Sequence, residues 1–353
     1  MSIPMEMSGM EMEDQPVLQP DLNAGNREAQ ERPQRMQRRE PERRFVVIEP
    51  EEIKLFDVLG SGQYGTVRKA IVREQEVAVK IFHRQDLNNK DINDFKMEVE
   101  AFFNVGGHPN LLMCMGACLT PGKLAIVMEL LPKNKTLEHI LSSPDLHLPL
   151  TTRLIWALEI AKGMLWIHTA QPNMVIHKDL KPANLCIDSH QHVKVFDLGL
   201  SSIKPNDSTL VAGRHANGSP LWMAPEALLK KPFDEKVDVY SFAICLWQII
   251  TRKQPFSHHN DLPRFIKAIC INQERPPIRE EWGQRVCNLL KLSWHPIPRF
   301  RPDFTQIITQ LNSLIIETSI NDRDGQQFWA SRWIDKQVVT WDDFFTSFAQ
   351  KTG

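Results

Sequence analysis

The sequence predicts an α+β protein of two lobes, a small antiparallel β-sheet followed by a larger, mainly helical half, and three observations predict it. Apolar and β-branched runs at 53–59, 67–71 and 77–82 alternate with Gly-rich or charged turns, the pattern of short strands joined as hairpins. Beyond Leu131 the periodicity becomes helical, with a strong apolar pattern over 154–168 and a segment over 237–250 that is apolar nearly all round, as in a helix buried on every side. Between those helices lies a polar run, His177-Lys178-Asp179-Leu180-Lys181-Pro182-Ala183-Asn184, set among short apolar strands at 174–176, 185–187 and 193–196 and followed by Asp197-Leu198-Gly199. A strand-rich half followed by a helix-rich half implies two lobes with a cleft between them.

The chain has 353 residues, enough for about two ordinary domains or one bilobal unit with tails. Its 42 Lys+Arg balance 43 Asp+Glu, so no global field draws it to nucleic acid or to an anionic membrane. The 6 cysteines contain no Cys-x-x-Cys pair, and neither a signal peptide nor a long apolar span is evident. A cytoplasmic, reducing location is expected. Cys114 and Cys118 read as small buried side chains, and His258-His259 as a solvated loop.

Taken in order, residues 1–44 begin Met-rich and acidic and turn Arg-rich from Arg27 to Arg44, with almost no aromatics, as expected of a disordered tail. Phe45 opens the strand-rich half. Gly60-x-Gly62-x-x-Gly65-x-Val67 falls between two predicted strands with Tyr64 at the tip; alone it fits a plain glycine turn as well as a hairpin whose backbone approaches phosphates. In the next strand, alternation puts Val77, Val79 and Ile81 on one face and Ala78, Lys80 and Phe82 on the other. Residues 88–104 place Ile92, Phe95, Val99, Phe102 and Phe103 at helical spacing, and Glu98 falls inside that apolar stripe. A charge on a buried face needs a partner, and Lys80 is the natural one. Glu100 lies outside the stripe and reads as solvated. Gly106-Gly107-His108-Pro109-Asn110 stops the helix, and strands are expected at 111–115 and 124–129.

The polar run carries the chemistry. Phosphoryl transfer needs a carboxylate to orient a hydroxyl, cations near the phosphates and oxygen ligands for magnesium. Asp179, Lys181, and the pair Asn184 and Asp197 supply those roles in turn, with Lys80 as a second cation.

With these motifs in view, the chain resembles the eukaryotic protein kinase superfamily over 45–316, which implies an N-lobe at 45–130 and a C-lobe at 131–316. The resemblance rests on the Gly-rich loop, Lys80, Glu98, the catalytic loop, Asp197-Leu198-Gly199, Ala224-Pro225-Glu226, Asp238 and Arg301-Pro302. It implies ATP and magnesium as cofactors. Asp179 and Lys181 would be catalytic, with Ser219 of Gly218-Ser219-Pro220 supporting them, and Asn184 and Asp197 would hold the metal. Leu59, Gly60, Gly62, Gly65, Val67, Ala78, Lys80, Glu98, Met128, Glu129, Leu131 and Leu185 would form the nucleotide site, Met128 as gatekeeper and 129–131 as hinge. Glu226 with Arg301, and Asp238 under the catalytic loop, would be architecture.

Within the superfamily, the 222–226, 237–242 and 294–302 segments are similar to the tyrosine-kinase-like group, and Lys181 agrees with serine/threonine specificity. Protein substrates are implied. A dual-specificity enzyme and a pseudokinase scaffold stand as the alternatives. Two residues depart from the family pattern: Lys178 replaces the usual arginine and loses its bidentate fork, and Leu198 replaces a phenylalanine. Control through Ser201, Ser202, Ser208 or Thr209 is therefore less secure. With Tyr64 and Tyr240 the only tyrosines, tyrosine autophosphorylation of the activation loop is excluded. Lys135 or Thr136, and Ala183, stand where acids would select basic peptides. The segment 317–353 crowds in Phe328-Trp329, Trp333, Trp341, Phe344-Phe345 and Phe348. Over about 325–350 it resembles the linker of amoebal kinases with a C-terminal SH2 domain, which would add phosphotyrosine-dependent partners if that domain follows; a helical cap fits equally.

Overall fold

A computed structural model describes residues 46–61, 65–83, 89–133, 135–205 and 219–321. The expectations for the 1–44 tail, Gly62, Tyr64, Ser208, Thr209, Gly218 and the aromatic run from Phe328 lie outside the described residues.

The N-terminal half is one five-stranded antiparallel sheet in the order β1-β2-β3-β5-β4, built from β1 (Ile53–Ser61), β2 (Gly65–Val72), β3 (Gln75–Phe82), β4 (Cys114–Cys118) and β5 (Ala125–Glu129). β2 and β3 are joined by Arg73 and Glu74, both with left-handed backbone, the conformation that a two-residue hairpin needs to match strand twist. Alternation sorts β3 as expected. Val77 and Val79 enter a small core with Ile48, Ala70, Val72, Cys118, Ala125 and Val127, while Ala78 and Lys80 sit on the opposite face.

One strand differs from expectation. The fourth runs over Cys114–Cys118 rather than 111–115, because Leu111 and Leu112 are drawn into the main core, where Leu112 N–H donates to the Val195 carbonyl at 2.9 Å. Gly116 lets the strand lie against the segment before β1: a Cβ there would meet the Val46 carbonyl oxygen at 2.4 Å. Helix α1 (Asn89–Val105) buries Phe95, Val99, Phe102 and Val105, and ends at left-handed Gly106, whose N–H caps the Phe102 carbonyl.

The second half is helical. α2 (Leu137–Ser142) is capped by the Thr136 hydroxyl, and α3 (Leu150–His168) starts just after Pro149. β6 (Asn173–Ile176), β7 (Leu185–Ile187), β8 (Val193–Val195) and β9 (Ser202–Pro205) form two ribbons, β6 with β9 and β7 with β8. They are followed by α4 (Pro225–Leu228), α5 (Lys236–Thr251), α6 (Leu262–Cys270), α7 (Gln284–Ser293) and α8 (Phe304–Asn321). α5 is buried on nearly every side, as its composition predicts. A single apolar cluster joins α1, Met128 of β5, Leu185 of β7 and the helices, so the two halves share one core behind the cleft. The bilobal α+β architecture is the one expected. Among the described residues, no helix is long and apolar enough to cross a membrane.

Candidate active site

The loop after β6 is held from below by one carboxylate. Asp238 of α5, fully buried, accepts the backbone N–H groups of His177 and Lys178, each at 2.8 Å, and a hydrogen bond from His168 Nε2 at 2.8 Å. Burial pushes the Asp238 carboxyl up, but the bond and charge of His168, with His177 and the Lys178 amide, outweigh it and hold the pKa below the ordinary value. Lys178 can therefore adopt a left-handed backbone, which a turn this tight requires. Its ammonium is disfavoured by burial, only partly offset by Asp238, so its pKa is lowered. His177, also buried, completes the support, with Nδ1 accepting the Asp179 N–H at 3.3 Å and Nε2 donating to the Phe196 carbonyl at 3.2 Å.

That support aims Asp179 into a ring of donors. Its Oδ1 accepts the Ser219 N–H at 3.0 Å, and its Oδ2 faces Asn184 Nδ2 at 2.9 Å and Lys181 Nζ at 3.0 Å. Lys181 Nζ also donates to Ser219 Oγ at 2.6 Å. Asp179, Lys181, Asn184 and Ser219 thus form one connected network. The Asn184 amide nitrogen is committed to Asp179, so the Oδ1 atom is the one it can offer a cation.

On the other side of the cleft, Lys80 Nζ lies 2.7 and 2.9 Å from the two carboxylate oxygens of Glu98, and 3.7 Å from Asp197 Oδ1. The Lys80 and Glu98 side chains are 12% and 4% exposed. Burial lowers the Lys80 pKa, but the charges of Glu98 and Asp197 more than compensate, so it is raised and the lysine stays cationic. Asp197 stands on a left-handed residue and keeps its carboxylate 43% exposed. Gly199 makes room for this cluster: a Cβ there would meet Asp197 Oδ1 at 3.1 Å, Lys80 Nζ at 3.2 Å and Glu98 Oε2 at 3.3 Å.

The remaining residues expected at the nucleotide site differ in burial. Met128 is buried and pairs with Ala78 across β3 and β5; Leu185 is fully buried, and Leu131 packs against the main core. Leu59 and Val67 are half-buried on the first two strands. Gly65 is demanded by packing, since a Cβ would lie 2.4 Å from the Ile81 carbonyl oxygen, whereas Gly60 faces open space. Glu129 does more than supply backbone: its carboxylate accepts the Met113 N–H at 2.8 Å and binds Lys194 Nζ at 3.1 Å, tying the hinge to β8. Leu198 is buried in the main core. Of the four hydroxyls considered for control, Ser201 is buried and Ser202 lies in β9, opposite Ile176 of β6.

Sequence reasoning missed the residues that anchor β8, the strand that leads to Asp197. Glu159 of α3 accepts the Val193 N–H at 2.8 Å and pairs with His192 Nδ1 at 2.7 Å, while Asn110 spans both ends of β8 through Val193 and Val195. Glu159 carried the same signal that singled out Glu98, a charge within an apolar stripe. The architectural pair is present as well: Arg301 Nη1 and Nη2 reach Glu226 at 2.6 and 2.9 Å.

The family model described as protein tyrosine and serine/threonine kinase matches residues 53–311. Two dual specificity protein kinases of Dictyostelium discoideum are each 40% identical: shkC over 297 residues, 84% of this chain, and shkA over 308 residues, 87% of this chain. The serine/threonine-protein kinase CTR1 of Arabidopsis thaliana is 36% identical over 266 residues, covering 75% of this chain and 32% of its own length. The chain spans 58% of the length of shkC and of shkA.

Proposed function

Because the chain belongs to the protein tyrosine and serine/threonine kinase family, we propose that it is an active protein kinase that phosphorylates serine and threonine hydroxyls of protein substrates with ATP and magnesium. The observation that carries this reading is the closed ion pair of Lys80 and Glu98, with Asp197 beside it and the Asp179 network facing it from the other half. A scaffold without catalysis has no chemical need for that complete charged set. The cleft offers oxygen donors from Asn184 and Asp197, the class that suits magnesium.

Bound there, ATP supplies the transferable phosphoryl group and magnesium the neutralising charge. Asp179 orients the incoming hydroxyl and takes up its proton at a carboxylate oxygen. Lys181 and Lys80 offset charge that develops on the phosphoryl oxygens, in a site whose donors are already in position. The Ser219 hydroxyl fixes Lys181 at 2.6 Å, which supports serine/threonine specificity. Dual specificity is a second reading, favoured by the names of the Dictyostelium relatives. A reducing, cytoplasmic setting is supported by six free cysteines.

The test is transfer from labelled ATP to a generic protein, with phosphoamino-acid analysis. Asp179→Asn is expected to lower the rate by about 10²–10⁴-fold, and equal rates in variant and wild type would overturn the mechanism. Phosphotyrosine as a main product would favour dual specificity.

A further inference from the structure

Among the described residues, metal-ligating side chains converge in a group of three at one place only, and it lies apart from the kinase cleft, on the two segments that flank α6. His258 Nε2 and His259 Nε2 sit 2.8 and 3.0 Å from the same oxygen, Oε1 of Glu274, and all three ligand atoms lie within 4.8 Å of one another. The imidazole rings are 4.2 Å apart. Two imidazoles and a carboxylate are the donor set that zinc takes, with bonds of about 2.0 Å and ligand atoms therefore about 3.3 Å apart in a tetrahedron. An ion can enter between these three atoms with small shifts, chiefly of the exposed His258 ring.

The donors stand on a fixed frame. The ring of His259 is wedged against buried Phe256 and Phe265, at 6.5 and 5.7 Å between centroids, and its backbone N–H binds the Phe256 carbonyl at 3.0 Å. Glu274 is held by its own N–H, which donates to Ala268 of α6 at 3.0 Å. Each ligand-bearing segment turns through a non-glycine residue in left-handed backbone, Phe256 on one side and Gln273 on the other. A solvated histidine loop, the expectation from sequence, needs none of this.

We propose that His258, His259 and Glu274 form a zinc site that staples the segment after α5 to the segment after α6, with its fourth position open to water. His258 is 64% exposed, so the site is reachable and its loss opens no cavity. The full-length chain, stripped of metal by a chelator, is titrated with zinc chloride against a chromophoric chelator in excess magnesium, beside His258→Ala and Glu274→Gln. The expected result is one zinc ion per wild-type chain, at least about tenfold weaker binding in either variant, and a cobalt(II) absorption spectrum that changes in Glu274→Gln. Circular dichroism shows that each variant is folded before titration. Equal zinc affinity in wild type and both variants, as binding at cysteines would give, overturns the proposal, and so does a wild-type chain that binds no zinc.

Discussion

Two ion pairs of nearly equal length do opposite work in this molecule. Lys80 and Glu98 meet at 2.7 Å in the N-terminal half, beside the cleft, and Arg301 and Glu226 at 2.6 Å in the helical half. Arg301 is fully buried, and its guanidinium is spent on fixed partners: Glu226 twice, the His295 carbonyl at 2.8 Å, the Lys236 carbonyl at 2.9 Å, with the Tyr240 ring beneath it. Lys80 has a compact ammonium shared between Glu98 and, at 3.7 Å, the half-exposed Asp197. A planar fork with all three nitrogens bonded to fixed partners holds one geometry, whereas a point charge between two carboxylates can keep one and serve another group. The first pair is built to hold, the second to be used.

Predictions that break or sharpen this contrast run from large effects to small. Arg301→Ala should cost about 3–5 kcal/mol, because it leaves Glu226 buried without its cation; urea unfolding followed by circular dichroism measures it, and a loss below about 1 kcal/mol would contradict the holding role. Lys80→Met should instead be read in activity, with transfer from ATP lowered at least about 10²-fold in a chain that still folds cooperatively. Gly65→Ala should destabilise by about 1–3 kcal/mol, since its Cβ would lie 2.4 Å from a backbone oxygen. Gly60→Ala, with nothing within 4 Å, should leave the unfolding midpoint nearly unchanged.

A pH dependence tests the support beneath the loop. The folded pKa of Asp238 lies below its ordinary 3.8, so the unfolded chain binds that proton more readily. Its stabilisation is present above pH 3.8 and is lost as pH falls through the lower folded value. The stability gap between wild type and Asp238→Asn, measured by denaturant unfolding, should stay level above that pH and narrow below it; a gap that widens with acid would contradict the assignment.

Much of the site was legible because its chemistry leaves local marks. Glu98 betrayed itself as a charge inside an apolar stripe, and Lys80 by alternation within β3. Glu159 bore the same mark, yet its partners, His192 and the Val193 amide, are 33 and 34 residues away and carry no local signal. Glu129 reads in sequence only as a hinge backbone, since its side-chain cation, Lys194, is 65 residues distant. The fourth strand was shifted for a related reason: Leu111 and Leu112 have strand-like composition, but the main core competes for them more strongly than the sheet does.

The sequence by itself determined that a strand-rich half precedes a helix-rich half, the burial of α5 and the identity of the polar residues in the cleft. Those follow from periodicity and from the cost of burying charge, which are local properties of the chain. The tertiary structure alone decided which carboxylate meets which cation, where β4 starts, that β9 pairs with β6, and that His258, His259 and Glu274 share a point. Such meetings depend on how loops close over a common core, and loop closure depends on every element that the loop connects.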